Sequence, residues 1–141
     1  MDFQLITLSG TKVNEKVYEV MLTTADGDIA VFPDHEPLVS VVVPGVISVR
    51  YDKHHSDEQL DLFAVSGGIV EIADNHMRVL VDEADHGEDI IEAENRAALE
   101  RAIAMRDNAS SQIELEKAHN LVNRHSVRLK VADLHRRKRR L

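Results

Sequence analysis

The sequence predicts a two-part α+β chain. An all-β part of sandwich or barrel type covers residues 1–86, and an α-helical hairpin covers residues 87–141. Three observations carry this. Short β-branched segments with turn signals between them recur through the first part. After Ala84 the composition shifts to Ala, Glu, Arg and Leu, all strong helix formers. The charge changes sign near the same place. Residues 1–90 hold 5 Lys and Arg against 18 Asp and Glu, a net of −13, whereas residues 91–141 hold 12 against 7, a net of +5.

The strand segments are FQLIT, KVYEVMLTT, DIAVF, LVSVVV, VISVRY, LDLFAV, IVEIA and MRVLV. Between them stand SGTK, ADGD, FPDHEP, PG, HHSDE, SGG and DN, rich in residues that turn a backbone. The DN step reads as a tight hairpin, because Asp and Asn tolerate left-handed backbone. Gly67 and Gly68 interrupt an apolar run. They point to a bulge, a close backbone approach or a wide turn.

The helical part opens with Glu88 and Asp89, where carboxylates suit a helix N-terminus. NASSQ then breaks it and offers Ser110 or Ser111 as a second N-cap. On the second helix Leu115, Ala118, Val122, His125, Leu129 and Ala132 form a heptad seam. Ile91, Ala98, Ala102 and Met105 face it from the first helix. A polar His125 in that seam can specify register, or loosen the pair when protonated. A lone Ala-rich hairpin buries little apolar area, so a better partner could unpack it.

Composition excludes several function classes. With no Cys there is no disulfide framework, Cys-based zinc site or Cys nucleophile. No apolar run reaches the ~20 residues of a membrane span, and the N-terminus lacks the pattern of a signal or transit peptide. SGTK fails as a phosphate loop, since Thr11 separates Gly10 from Lys12. The eight histidines show no metal-ligand spacing and read as solvated loop residues, His125 apart. No nucleophile or general base with an orienting partner is legible, so the chain is expected to be non-catalytic, with no metal and no cofactor.

The tail is the strong local charge signal. From Arg124 to Leu141 there are 8 basic residues against 1 acidic. Such a run is a solvated terminus or meets an acidic protein, nucleic acid or an anionic membrane. Nucleic acid is disfavoured, because no aromatics interleave for stacking and the acidic first part would repel phosphates.

Two stretches, ADGDIAVFPDHEPLVSVVVPGVISV and FAVSGGIVEIADNHMRVLVDEA, precede the EDI that opens the Ala/Glu/Arg hairpin. In order and spacing, over nearly the whole chain, they resemble the epsilon subunit of bacterial F-type ATP synthases. The resemblance implies a β-sandwich of about ten strands followed by a C-terminal helix–loop–helix. It implies a rotor subunit that couples rotation to ATP synthesis and proton translocation. Its sandwich would bind the gamma subunit and sit on the c-ring, peripheral to the cytoplasmic face of the cell membrane without inserting. Asp28 and His35 fall where the family touches the c-ring loops. Asp34 replaces the usual Gly before that His, adding a charge at the corner.

In the same family the hairpin can open into the alpha/beta catalytic head and inhibit hydrolysis. The basic face here would be Arg124, Arg128, Lys130, Arg136, Arg137, Lys138, Arg139 and Arg140. Some members bind ATP between the helices as a regulatory ligand. Arg124 and Arg128 match half of that motif. Glu92 and Arg96 stand near, but out of register with, the other half, which implies weak or absent ATP binding. On the residues alone, the competing reading is a free-standing β-sandwich adaptor with a partner-binding hairpin.

Overall fold

The computed structural model describes residues 1–139, apart from the side chains of Lys138 and Arg139. Ten strands come first: β1 (Asp2–Thr7), β2 (Gly10–Lys16), β3 (Glu19–Thr24), β4 (Gly27–Val31), β5 (Leu38–Val42), β6 (Gly45–Arg50), β7 (Asp61–Val65), β8 (Gly68–Ala73), β9 (His76–Val81) and β10 (Ala84–His86). Two helices follow, α1 (Glu92–Asp107) and α2 (Gln112–Arg139).

The strands pair in the order β10-β7-β6-β3-β5-β8-β9-β1-β2, with β4 on the other edge of β3. β3 and β5 share a single pair, Thr24 with Val42. The sheet folds over at that joint into a sandwich, with β10-β7-β6-β3-β4 as one layer and β5-β8-β9-β1-β2 as the other. The β1–β9 pairing is parallel and the others are antiparallel. Alternation decides which side chains go inside. Phe3 and Leu5, Val20 and Leu22, Val70 and Ile72, and Met77 and Val79 fill the interior.

β7 breaks the alternation, and its run of buried residues has a cause. Phe63 and Val65 face the sandwich core, while Leu62 and Ala64 pack outward against Val131 of α2. A strand covered on both faces reads as continuously apolar.

Three expectations need correction. SGTK is not simply a turn, because Gly10–Lys16 forms the edge strand β2. Only Val13 of that strand is buried, so its sequence carries almost no apolar signal. Glu88 and Asp89 do not open the first helix. They lie in a 3-10 turn, Gly87–Asp89, and α1 starts at Glu92. Ile90 is drawn into the cluster around Val131, which holds the intervening backbone extended. The helix seam is also narrower than the heptad implied. Ala102, Ala118 and Ala132 are buried, but Ile91, Met105 and Leu115 are exposed.

Other local signals hold. Asp74 and Asn75 adopt positive φ of 52° and 60°, which builds the tight β8–β9 turn. Ser111 Oγ accepts the Glu114 N–H, capping α2. Beneath the sandwich edge Arg50 donates to Glu19 at 2.9 Å, to Asp57 at 2.6 Å and to the His55 carbonyl at 2.7 Å. Those bonds account for Glu19, a carboxylate only 8 % exposed.

Candidate functional site

α2 docks on the sandwich beside β7, β6 and the 3-10 turn, while α1 packs chiefly on α2. The docking surface has an apolar and a charged part. Val131 sits fully buried on Leu62 and Ala64, with Val46, Val127 and Leu134 around it. Next to this patch the acidic loop after β9, together with β10, meets the arginines of α2. Arg128 Nε donates to Asp85 at 2.8 Å, and its Nη2 lies 3.3 Å from Glu83. Arg124 Nε lies 3.4 Å from the same Glu83 oxygen. One carboxylate therefore holds two guanidinium groups. These residues line a cleft of about 380 Å³, closed on the sandwich side by Pro44, Ser66 and Gly67.

Gly87 lets the far end of α2 approach. A Cβ there would stand 3.2 Å from the His135 side chain. Beside it His86 is wholly engaged. Its Nδ1 accepts the Glu88 N–H and its Nε2 donates to Asp61, so the ring is the neutral Nε2–H tautomer. Tyr51 donates to the other Asp61 oxygen at 2.9 Å. Burial, then Asp61, pushes the Tyr51 phenol above its ordinary range.

The residues singled out from sequence fall into separate places. Arg124 and Arg128 face the sandwich. Arg136 pairs with Glu92 at 3.0 Å and with Asp133, and Arg137 pairs with Asp133 at 3.1 Å. Lys130 is exposed. The side chains of Lys138 and Arg139, and all of Arg140, lie outside the described residues. Of the four residues near the nucleotide motif, Glu92 lies 3.8 Å from Arg96 and closer, at 3.0 Å, to Arg136. Arg124 and Arg128 turn to Glu83 instead, so the structure does not bring the four together. Asn95 and His125 meet between the two pairs, at 3.3 Å.

Asp28 is the second residue of β4, exposed, and accepts the Thr23 hydroxyl at 2.6 Å. His35 lies beyond the other end of that strand, donating to the Glu36 carbonyl at 2.6 Å. Asp34 adopts a left-handed φ of 63°, and its N–H is held by Asn75 Oδ1 at 2.9 Å. That is a conformation glycine takes more readily.

Sequence reasoning missed one surface. Val41, Ile69 and Leu80 lie side by side across β5, β8 and β9, 56 %, 46 % and 38 % exposed. Val39, 73 % exposed, continues the stripe. The signal was present in LVSVVV, which is apolar on both faces of its strand. A contiguous apolar patch on an outer face marks an interaction surface.

Comparison with known proteins agrees with this architecture. The β-sandwich domain model of the ATP synthase delta/epsilon chain matches residues 1–87. An ATP synthase epsilon chain of Herpetosiphon aurantiacus is 30% identical over 138 residues, covering 96% of each chain. ATP synthase epsilon chain 2 of Photobacterium profundum is 35% identical over 125 residues, covering 82% of this chain and 83% of that one. Among solved structures, a chain of the Euglena gracilis mitochondrial ATP synthase superposes with a TM-score of 0.78 at 22% identity, covering 96% of this chain and 81% of its own. A chain of the Tetrahymena thermophila mitochondrial ATP synthase, central stalk and c-ring, gives 0.61 at 16%, covering 94% and 96%. Both share the fold. The class is thus that of the delta and epsilon chains of ATP synthases. Within it, the chain belongs to the epsilon-subunit family of F-type ATP synthases.

Proposed function

We propose that this chain is a non-catalytic part of the central stalk, with residues 1–86 as the coupling domain and residues 87–141 as the regulatory one. The sandwich couples rotor rotation to ATP synthesis and proton translocation. The hairpin restrains ATP hydrolysis. The observation that carries the regulatory half is the docking of α2, through two arginines on one shared carboxylate and a small patch around Val131. Charged contacts at this exposure contribute little each, so the hairpin is held reversibly.

Released, α2 presents Arg124, Arg128 and Lys130, followed by the basic run from Arg136 to Arg140, to an acidic surface. The alpha/beta catalytic head is the partner this reading assigns to it. The stripe of Val39, Val41, Ile69 and Leu80 suits the gamma subunit, and Asp28 and His35 suit the polar loops of the c-ring. Among the described residues no helix is long and apolar enough to cross a membrane. On this reading the subunit sits peripherally, on the cytoplasmic face of the cell membrane, through its complex.

Truncating the chain after Asp89 tests this in the assembled enzyme. Faster ATP hydrolysis, with assembly and coupling preserved, is the expected result. An unchanged hydrolysis rate would overturn the regulatory half of the reading.

A further inference from the structure

His125 sits half-buried between the two helices and shares one polar contact across the seam, with Asn95 Oδ1 of α1. Its charged surroundings are lopsided. Arg101 faces it from α1, and Arg124 and Arg128 flank it on α2. From the sandwich the nearby anion is Glu83, already shared by Arg124 and Arg128, with Asp85 one step further along Arg128. A neutral ring suits this place. A charged one would be desolvated among three cations, at the point where α2 holds both α1 and the sandwich.

We propose that His125 makes the hairpin a proton-sensitive latch: protonation adds a fourth cation between Arg101, Arg124 and Arg128 and releases α2 from α1 and from the acidic loop. Burial first, then Arg128, Arg124 and Arg101, hold the docked imidazole below its ordinary value, against a smaller opposing pull from Glu83. The sign follows. The docked form binds the proton less readily than the released form. Docking is therefore favoured above the free imidazole pKa of about 6.5, and is lost as pH falls through the depressed docked value. A tenfold difference in proton affinity between the two forms raises the released-to-docked ratio about tenfold at low pH. Salt weakens the effect, because part of it is repulsion between partly exposed charges. In the enzyme, and resting on the regulatory reading above, acidification would free the hairpin to act.

The test uses the full chain, whose lack of cysteine permits a clean dye pair. Asp26→Cys on the sandwich and Asp107→Cys at the end of α1 would carry donor and acceptor. Energy transfer should fall as pH drops from about 7.5 to about 5.5, spanning the histidine range. In a His125→Gln background the transfer should stay flat with pH, and in His125→Lys it should be low throughout. The slope with pH decides, so a variant that loosens the hairpin at every pH still gives an answer. An unchanged slope in His125→Gln would overturn the assignment. A parent chain that does not titrate would overturn it as well. The readout is conformational, so an unchanged hydrolysis rate on truncation would sink the regulatory reading and leave this test standing.

Discussion

Alanine at Gly68 is expected to destabilise the sandwich by about 3 kcal/mol or more, lowering the melting temperature by roughly 10 °C. The cause is steric. A Cβ at Gly68 would stand 1.9 Å from the Leu80 carbonyl oxygen and 2.9 Å from both Leu80 C and Val81 Cα. These are backbone atoms of the neighbouring strand, where Gly68 pairs with Val81. They cannot yield without opening the β8–β9 ladder. Gly67 is the natural control. Its added Cβ would meet the Val42 carbonyl oxygen at 3.2 Å, so a small shift suffices and the loss should be milder. Urea unfolding of both variants checks this. A Gly68→Ala chain as stable as the parent would mean that β8 and β9 sit farther apart than the structure has them.

The second large effect is expected at the docking surface. Glutamate in place of Arg128 sets three carboxylates together, with Glu83 and Asp85, where an ion-paired guanidinium stood. Docking should weaken by about 2 kcal/mol, roughly thirtyfold. Small-angle scattering would report it as a larger radius of gyration. Lys130→Glu, at an exposed position on the same helix, should leave the radius nearly unchanged. Pairing Arg128→Glu with Glu83→Arg and Asp85→Arg should restore compaction in part. An unaltered radius in Arg128→Glu would mean that the patch around Val131 carries the docking alone.

Much of this was legible because strands with one buried face announce themselves by alternation. β1 and β9 bury every second residue. β2 was illegible for the opposite reason, since one buried Val13 cannot make a period. The second helix misled in another way. It carries a seam toward α1, with Ala118 buried, and a second apolar face toward the sandwich, with Val131 fully buried. A single heptad describes only one of these. Arg124 and Arg128 could be picked out as a basic pair. Their partners Glu83 and Asp85 could not, because a loop and short strand some forty residues from a helix leave no periodic trace of their meeting. Gly67 and Gly68 marked their place, but sequence left open a bulge, a close approach and a wide turn. The Leu80 carbonyl decides for close approach at Gly68.

The nesting of the helices has a kinetic consequence. α1 leans on α2, and α2 leans on β7, β6 and the 3-10 turn. Such a chain of dependence opens from its outermost member. Backbone amides of α1 would be the first to exchange with deuterated solvent, those of α2 would follow, and those of β1, β8 and β9 would be the last. The hairpin then has an intermediate built in, with α1 melted or swung aside while α2 keeps its seat. A partner that captures α1 in that state lengthens the time α2 has to leave.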